Sequence, residues 1–284
     1  MLGFVIEDIN LNQLSEEDFQ RIRRAVPEHG VVLIKQQAIS IDTLVELTER
    51  FGRPLHLPEG LRFNNTEKDY PALARVSNIL PDGTLLKGHK AAEYWHSDGD
   101  FWQPGDNYIF NFLYSRIVPK EGGQTGFVDL RLAYEQLPAA TQEELTDKAV
   151  LVSCDDIPDF KDAKEEERQP DALHKIKHEH IETQRVGLYF GHTKAAVHNV
   201  TPETSDRLMR QLVAAIENPA IQYIHEWEEG DLLIWDNTSV MHRGMGGVQR
   251  LSKITVPNTS FYYTTIKFFY EIFIRITCSI IKYL

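Results

Sequence analysis

The sequence predicts a mainly β fold with helical insertions (α+β), arranged as a β-sandwich or closed jelly-roll barrel. Three observations predict it. Short runs of β-branched and aromatic residues (31–34, 108–118, 125–129 and 232–236) are separated by turns rich in Pro, Gly, Asn and Asp. Helical periodicity is confined to the start of the chain and to segments inserted between strands. Strands and helices do not alternate as a parallel βαβ sheet requires.

The first helix is expected over 12–28, where Ser15 caps, three acids fill the first turn, and Phe19, Ile22 and Val26 recur on one face before Gly30. Val31-Val32-Leu33-Ile34 reads as a buried strand. Ser40 to Phe51 is a second helix with Ile41, Leu44, Leu47 and Phe51 on one side and Gly52 as its stop. Residues 53–92 are loop-rich, the pattern of a lid or binding wall. From Tyr94 to Val128 the chain reads strand, turn, strand, turn. Thr125 to Asp129 leads into a short helix from Leu130 to Leu137, and 140–148 is a polar helix. Residues 155–173 are acidic with two prolines, a solvated insertion. Leu188-Tyr189-Phe190 is a strand. Thr201 to Glu217 is the clearest helix, capped by Thr201 with Pro202 at its first position. Ile221–Trp227, Leu232–Asp236 and Val240–Gly244 are strands.

From Thr259 the character changes. Aromatic clusters give way to Lys267, Glu271 and Arg275 spaced four apart, which suits an amphipathic helix covering its own core or a neighbouring subunit. Those charges interrupt any apolar run long enough for a membrane span. The organisation expected is therefore one domain over 1–258 and an atypical aromatic, amphipathic tail over 259–284.

Composition narrows the function. The 284 residues are enough for one sizeable core, and 42% hydrophobic with 25% charged residues is ordinary for a globular protein. A net charge of −12 argues against a nucleic-acid partner. Two cysteines, Cys154 and Cys278, exclude a disulfide framework, and the N-terminal segment lacks the basic and apolar regions of a signal peptide. A cytoplasmic protein is expected.

The chemistry centres on Trp95-His96-Ser97-Asp98-Gly99-Asp100. In an extended strand residues i and i+2 share a face, so His96 and Asp98 offer an imidazole and a carboxylate side by side. Alone, this pair is commonplace. His242, after the strand 232–236 and a turn, supplies a second imidazole. Two His and one carboxylate form the facial triad of non-haem Fe(II) oxygenases, which leaves three metal positions open. Thr125 adds a hydroxyl after a glycine turn. Arg250, eight residues past His242, adds a guanidinium suited to gripping a carboxylate.

These stretches resemble the taurine dioxygenase and 2,4-dichlorophenoxyacetate dioxygenase family of Fe(II)/2-oxoglutarate enzymes. The resemblance rests on Trp95–Phe101, on Pro119–Thr125 with Asp129 and Ala133–Pro138, and on Gly230–Asn237 leading to Met241-His242-Arg243. It runs from about residue 31 to residue 256. It implies a double-stranded β-helix, Fe(II) on His96, Asp98 and His242, and 2-oxoglutarate held at its distal carboxylate by Thr125 and Arg250. It also implies that O₂ decarboxylates 2-oxoglutarate to succinate and CO₂ while a small-molecule metabolite is oxidised, with hydroxylation the default outcome. Desaturation, epoxidation or cyclisation in a biosynthetic pathway uses the same oxidant, and a non-catalytic jelly-roll binding protein is the alternative from another class. His56 stands where the family often places a substrate-contacting histidine, with Asn78, Tyr94 and Trp102 as further substrate candidates. Where family members often carry a second basic group this chain has Ile254, with Lys253 beside it. The expected partner is a small molecule, with a homo-oligomer left open.

The remaining polar candidates have structural readings. His174, His178 and His180 fall on a peripheral strand. His192, His198 and His225 read as surface or satisfied histidines, and Arg243 as structural. Asp100 is a neighbour of the triad and not one of its ligands, and Asp236 and Asn237 fix a turn.

Overall fold

The computed structural model describes residues 1–54, 70, 73–77, 93–104, 110–118, 122–153, 170–246 and 260–267. Helix α1 (Glu16–His29) starts on Ser15, whose hydroxyl accepts the Asp18 N–H, and stops at Gly30. Gly30 has φ 78°, and its N–H closes on the Val26 carbonyl. Helix α2 (Ile41–Phe51) is capped by Ser40 in the same way. Both helices bury the faces expected from their periodicity.

Seven strands form the main sheet: β1 (Phe4–Val5), β2 (Val31–Ile34), β3 (Arg53–Pro54), β4 (Leu73–Ser77), β5 (Phe110–Ile117), β13 (Leu232–Asp236) and β15 (Ser260–Lys267). Their order is β1-β2-β13-β5-β15-β3, and β4 also pairs with β15. The central strands β2 and β13 are buried on both faces, which is why they read as apolar runs. Val32, Ile34, Phe110, Phe112, Leu232 and Ile234 pack against α1 and α2. The alternate residues Val31, Leu33, Leu113, Leu233 and Trp235 face the other way and meet Phe127 and Val240. Those two belong to a second sheet of β12 (Gln222–His225), β6 (Thr125–Asp129) and β14 (Val240–Gly244), with β6 in the middle. An apolar layer therefore lies between the two sheets.

Beyond β6 come α3 (Leu130–Glu135), α4 (Ala139–Glu144) and α5 (Pro202–Ile216). A three-stranded sheet orders β11 (Ala196–Val197), β7 (Ala149–Val152) and β8 (Ala172–Lys175), and a hairpin joins β9 (Lys177–Glu179) to β10 (Val186–Leu188). The α5 face Leu208, Leu212 and Ile216 packs into the core these elements share. The Leu188-Tyr189-Phe190 strand proves to lie two residues earlier. The polar helix ends at Glu144 and hands over to β7.

The segment after Thr259 departs from expectation. Residues 260–267 are a strand, paired over Ser260–Ile266 with β5 and over Ser260–Thr264 with β4, and not the start of an amphipathic helix. Its run of aromatic and Thr residues carries strand propensity. The four-residue charge spacing begins only at Lys267, and its other members lie outside the described residues.

One buried ion pair ties these layers together. Arg131 grips the Asp129 carboxylate with Nε at 3.0 Å and Nη2 at 2.8 Å, and its Nη1 donates to the carbonyls of Pro27 and Glu28. It thereby links the junction of β6 and α3 to the C-terminal turn of α1, whose carbonyls lack helical partners.

Candidate active site

His96 and Asp98 do not lie on a regular strand. His96 bridges single residues of two neighbouring segments, His242 and His192. Its N–H donates to the His242 carbonyl at 3.1 Å, and the His242 N–H returns a bond to the His96 carbonyl at 2.9 Å. Ser97 N–H donates to the Gly191 carbonyl at 2.7 Å. A turn then starts at Asp98, with Gly99 at φ 69°. The shared face expected of strand neighbours is thus produced by a turn. The tight turn of 98–101 competes with extension and wins.

Asn237 holds that turn. Its Oδ1 accepts the Asp98 N–H at 3.1 Å, and its Nδ2 donates to the Asp98 carbonyl. Asn237 itself follows β13 in a network around the buried Asp236, which accepts bonds from the Thr238 N–H and hydroxyl, the Ser239 hydroxyl and His180 Nε2. Burial alone would raise the Asp236 pKa, but His180 and Thr238 hold it below the usual carboxylate value. His180 is therefore a structural partner of the turn. His174 Nε2 bonds the Asp100 carbonyl at 2.6 Å. These two histidines serve the fold, but they are buried beside the site and not peripheral: His174 lies on β8 and His180 just after β9.

His242 arrives on β14, opposite Phe127 of β6. Its ring packs on Phe127 and, at 4.9 Å between centroids, on Trp235. The triad thus caps one end of the apolar layer between the two sheets. The Nε2 of His242 is 3.2 Å from Asp98 Oδ2, and the Nε2 of His96 is 3.6 Å from Asp98 Oδ1. One donor atom from each of the three residues lies within 4.8 Å of the others. Neighbouring ligands of an octahedral ion with bonds of about 2.1 Å are roughly 3 Å apart, so the spacing suits one ion. His96 Nδ1 lies 2.9 Å from the Tyr94 carbonyl. Donating there leaves the Nε2 lone pair for a ligand bond.

Burial, then the nearby His242, lowers the His96 pKa to about 4, so this imidazole is neutral at pH 7. A histidine with a depressed folded pKa protonates first in the unfolded chain. Its contribution to stability is complete above pH 6.5 and is lost as pH falls from there through about 4. His174 and His178, lowered by burial, act in the same direction. Urea denaturation of the metal-free protein at a series of pH values is expected to show stability falling across this window, with a shallower fall in His96→Gln.

The structure places the other candidates as follows. Thr125 lies opposite Gly244, two residues along β14 from His242, and so on the same face of the sheet. Its hydroxyl accepts the Trp227 Nε1–H at 3.0 Å. Tyr94 is exposed beside His96, with ring centroids 5.3 Å apart, and the Lys194 ammonium sits 4.6 Å from its ring. Trp102 is partly buried against the core beside Phe101. His56, Asn78 and Arg250 lie outside the described residues. Arg243 turns away from the triad, over the Trp95 ring and toward Glu217. Asp100 is buried, 3.7 Å from His192 and pressed against Gly191, whose φ of 69° and lack of side chain admit it. Two contributors, Lys194 and Asn111, carried no expectation, and a third, His192, was expected only as a surface or satisfied histidine. His192 bridges His96, Lys194 covers Tyr94, and Asn111 of β5 donates from Nδ2 to Asp98 Oδ2 at 2.6 Å. The signal for Asn111 was an amide set between two phenylalanines at the apolar start of a strand.

Two imidazoles and a carboxylate converging at the end of a two-sheet core define a class, the mononuclear metal-dependent oxygenases with a facial triad. Comparison with known proteins agrees. The chain matches the family model "Taurine catabolism dioxygenase TauD, TfdA family" over residues 2–250. It is 30% identical over 256 residues to the alpha-ketoglutarate-dependent 2,4-dichlorophenoxyacetate dioxygenase of Cupriavidus pinatubonensis, covering 84% of this chain and 87% of that one. It is 26% identical to the (S)-phenoxypropionate/alpha-ketoglutarate-dioxygenase of Sphingobium herbicidovorans, covering 85% of each. Among solved structures, a taurine dioxygenase from Burkholderia xenovorans superposes with a TM-score of 0.75 at 21% identity, covering 93% of this chain and 85% of that one. AAD-2 in complex with Mn(II) and N-oxalylglycine gives the same TM-score at 23% identity, covering 93% and 95%. The chain belongs to the TauD/TfdA family. It is a 2-oxoglutarate-dependent dioxygenase, and its chemistry uses Fe(II), 2-oxoglutarate and O₂.

Proposed function

We propose that this dioxygenase hydroxylates an anionic small-molecule metabolite, with Fe(II) on His96, Asp98 and His242 and the distal carboxylate of 2-oxoglutarate on Thr125 and Arg250. The observation that carries this reading is the convergence of the three donor atoms within 4.8 Å. When bound, Fe(II) supplies the coupled oxidation of 2-oxoglutarate and of a substrate C–H bond by O₂.

The chain's own part is orientation and exclusion of water. The Tyr94 carbonyl and the Phe127 and Trp235 rings fix the two imidazoles. Trp227 occupies the Thr125 oxygen as a donor, which directs the hydroxyl proton of Thr125 elsewhere, and the distal carboxylate is its acceptor. The exposed Tyr94 ring with Lys194 above it forms an aromatic, cationic rim beside His96. The relatives named for 2,4-dichlorophenoxyacetate and phenoxypropionate act on aromatic carboxylates, and such a rim suits that chemistry. His56, Asn78 and Trp102 complete the proposed substrate wall. The seven-stranded sheet and the β12-β6-β14 sheet are proposed as the halves of a jelly-roll barrel with the site at its mouth, within a domain of residues 1–258. The cytoplasm is proposed as its compartment, in keeping with two cysteines in 284 residues.

Succinate release from 2-oxoglutarate with Fe(II), measured against a panel of aryl and alkyl carboxylates, tests the reading. A carboxylate that stimulates release and gains one oxygen is the expected result. Loss of two hydrogens without oxygen gain would assign desaturation or cyclisation instead. No succinate from any member, or without substrate, would refute the reading. Arg250→Ala is expected to weaken 2-oxoglutarate binding by about 2–5 kcal/mol, at least roughly 30-fold. An unchanged 2-oxoglutarate requirement would move the role to another cation such as Lys253.

A further inference from the structure

We propose that Asn111 is a positioning residue for the metal: its side-chain amide sets which way the Asp98 carboxylate faces, and so how many positions of the ion stay open. The inference rests on the reading of His96, Asp98 and His242 as metal ligands.

Asn111 lies on β5 between Phe110 and Phe112, which point toward α1 and α2. Its own side chain faces the opposite way, with Leu113, into the layer between the sheets, and it pairs with Trp235 on β13. It is fully buried there. Among the described residues its Oδ1 has no hydrogen-bond partner. An unpaired buried acceptor is destabilising, and an apolar residue would fill the same space at no such cost. The amide is therefore not explained by stability. What it does is donate. Nδ2 reaches Asp98 Oδ2 at 2.6 Å and comes within 3.4 Å of Asn237 Oδ1.

The two asparagines divide the task. Asn237 fixes the backbone of Asp98 through both its N–H and its carbonyl. A fixed backbone still lets the carboxylate turn about its side-chain torsions. Asn111 removes that freedom by engaging one oxygen. A carboxylate that turns freely can present both oxygens to an ion and take up a position that the co-substrate needs. With one oxygen engaged by the amide, it offers a single ligand in a fixed direction. Hydrogen bonds to ligating carboxylates act in this way in metal sites generally.

Co(II) as the probe metal tests the proposal on the whole chain. The metal-free wild type, Asn111→Leu and Asn111→Ser are compared by calorimetric titration with Co(II), by the visible bands of the Co(II) protein before and after 2-oxoglutarate, and by thermal melting. Both variants are expected to bind Co(II) about 10- to 100-fold more weakly. Their visible bands are expected to differ in position or intensity from the wild type, and to respond less to 2-oxoglutarate. Metal-free Asn111→Leu is expected to melt no lower than the wild type. A general loss of structure would instead lower the melting point and leave the bands of the folded fraction unchanged, which counts against the proposal. Affinity within about two-fold of wild type with superimposable bands overturns it. Should Asn111→Leu not fold, the smaller Asn111→Ser decides by the same readings. A wild type that binds no Co(II) overturns the metal reading itself, and this proposal with it.

Discussion

Asp98→Ala is expected to weaken Fe(II) binding by more than about 100-fold and to abolish succinate formation, because even partners one shell further out cost 10- to 100-fold. The substitution removes the only carboxylate of the three-residue group and leaves two imidazoles whose rings are 4.3 Å apart. It also strips Asn111 and His242 of a shared partner. Metal content after dialysis against Fe(II), measured beside succinate release, checks the result. Retention of metal with loss of turnover would mean that Asp98 acts on the reaction and not on the ion. Full activity would refute its assignment as a ligand.

Arg131→Ala is expected to destabilise the protein by about 3–5 kcal/mol, the range for breaking one side of a buried ion pair. Both partners are nearly inaccessible, with side chains 3% and 4% exposed. The loss would leave Asp129 charged and unmatched, and would free two carbonyls at the end of α1. For a chain of this size that is a fall in melting temperature of roughly 6–20 °C, readable by calorimetry. The double variant Asp129→Leu/Arg131→Leu is expected to recover part of the loss, since it leaves no buried charge alone. A fall of under about 1 kcal/mol for Arg131→Ala would show that water reaches the site and screens the pair.

Local grammar made much of the fold readable. Ser15, Ser40 and Thr201 each cap the helix their position announces, and Gly30 and Gly52 end the first two. The apolar runs 31–34 and 232–236 are strands because both faces are covered. The triad was readable because its residue types are restrictive and its two halves sit in recognisable contexts. What escaped depends on contacts distant in sequence. Asn111 meets Asp98 across 13 residues, and Asn237 across 139. His192 comes to His96 from a separate segment. No local pattern encodes such meetings. The strand expected at His96 failed for a related reason. Its pairing is limited to single bridges, and the backbone turn at 98–101 is held by Asn237 from far along the chain. The strand at 260–267 was obscured because aromatic residues on an amphipathic helix and on a β-strand look alike over so short a stretch.

The placement of β15 has a consequence for how the protein is made. Its neighbours β5 and β4 leave a ribosome long before it does, and β15 can join them only once it has emerged in its turn. Until then β5 has one open edge of unpaired N–H and carbonyl groups, the kind of edge that pairs with other chains. Before then the main sheet is incomplete, and the pairings that β15 makes are among the most distant in sequence between described strands. A nascent chain is thus exposed to aggregation in the interval before β15 emerges, when chaperone capture matters most.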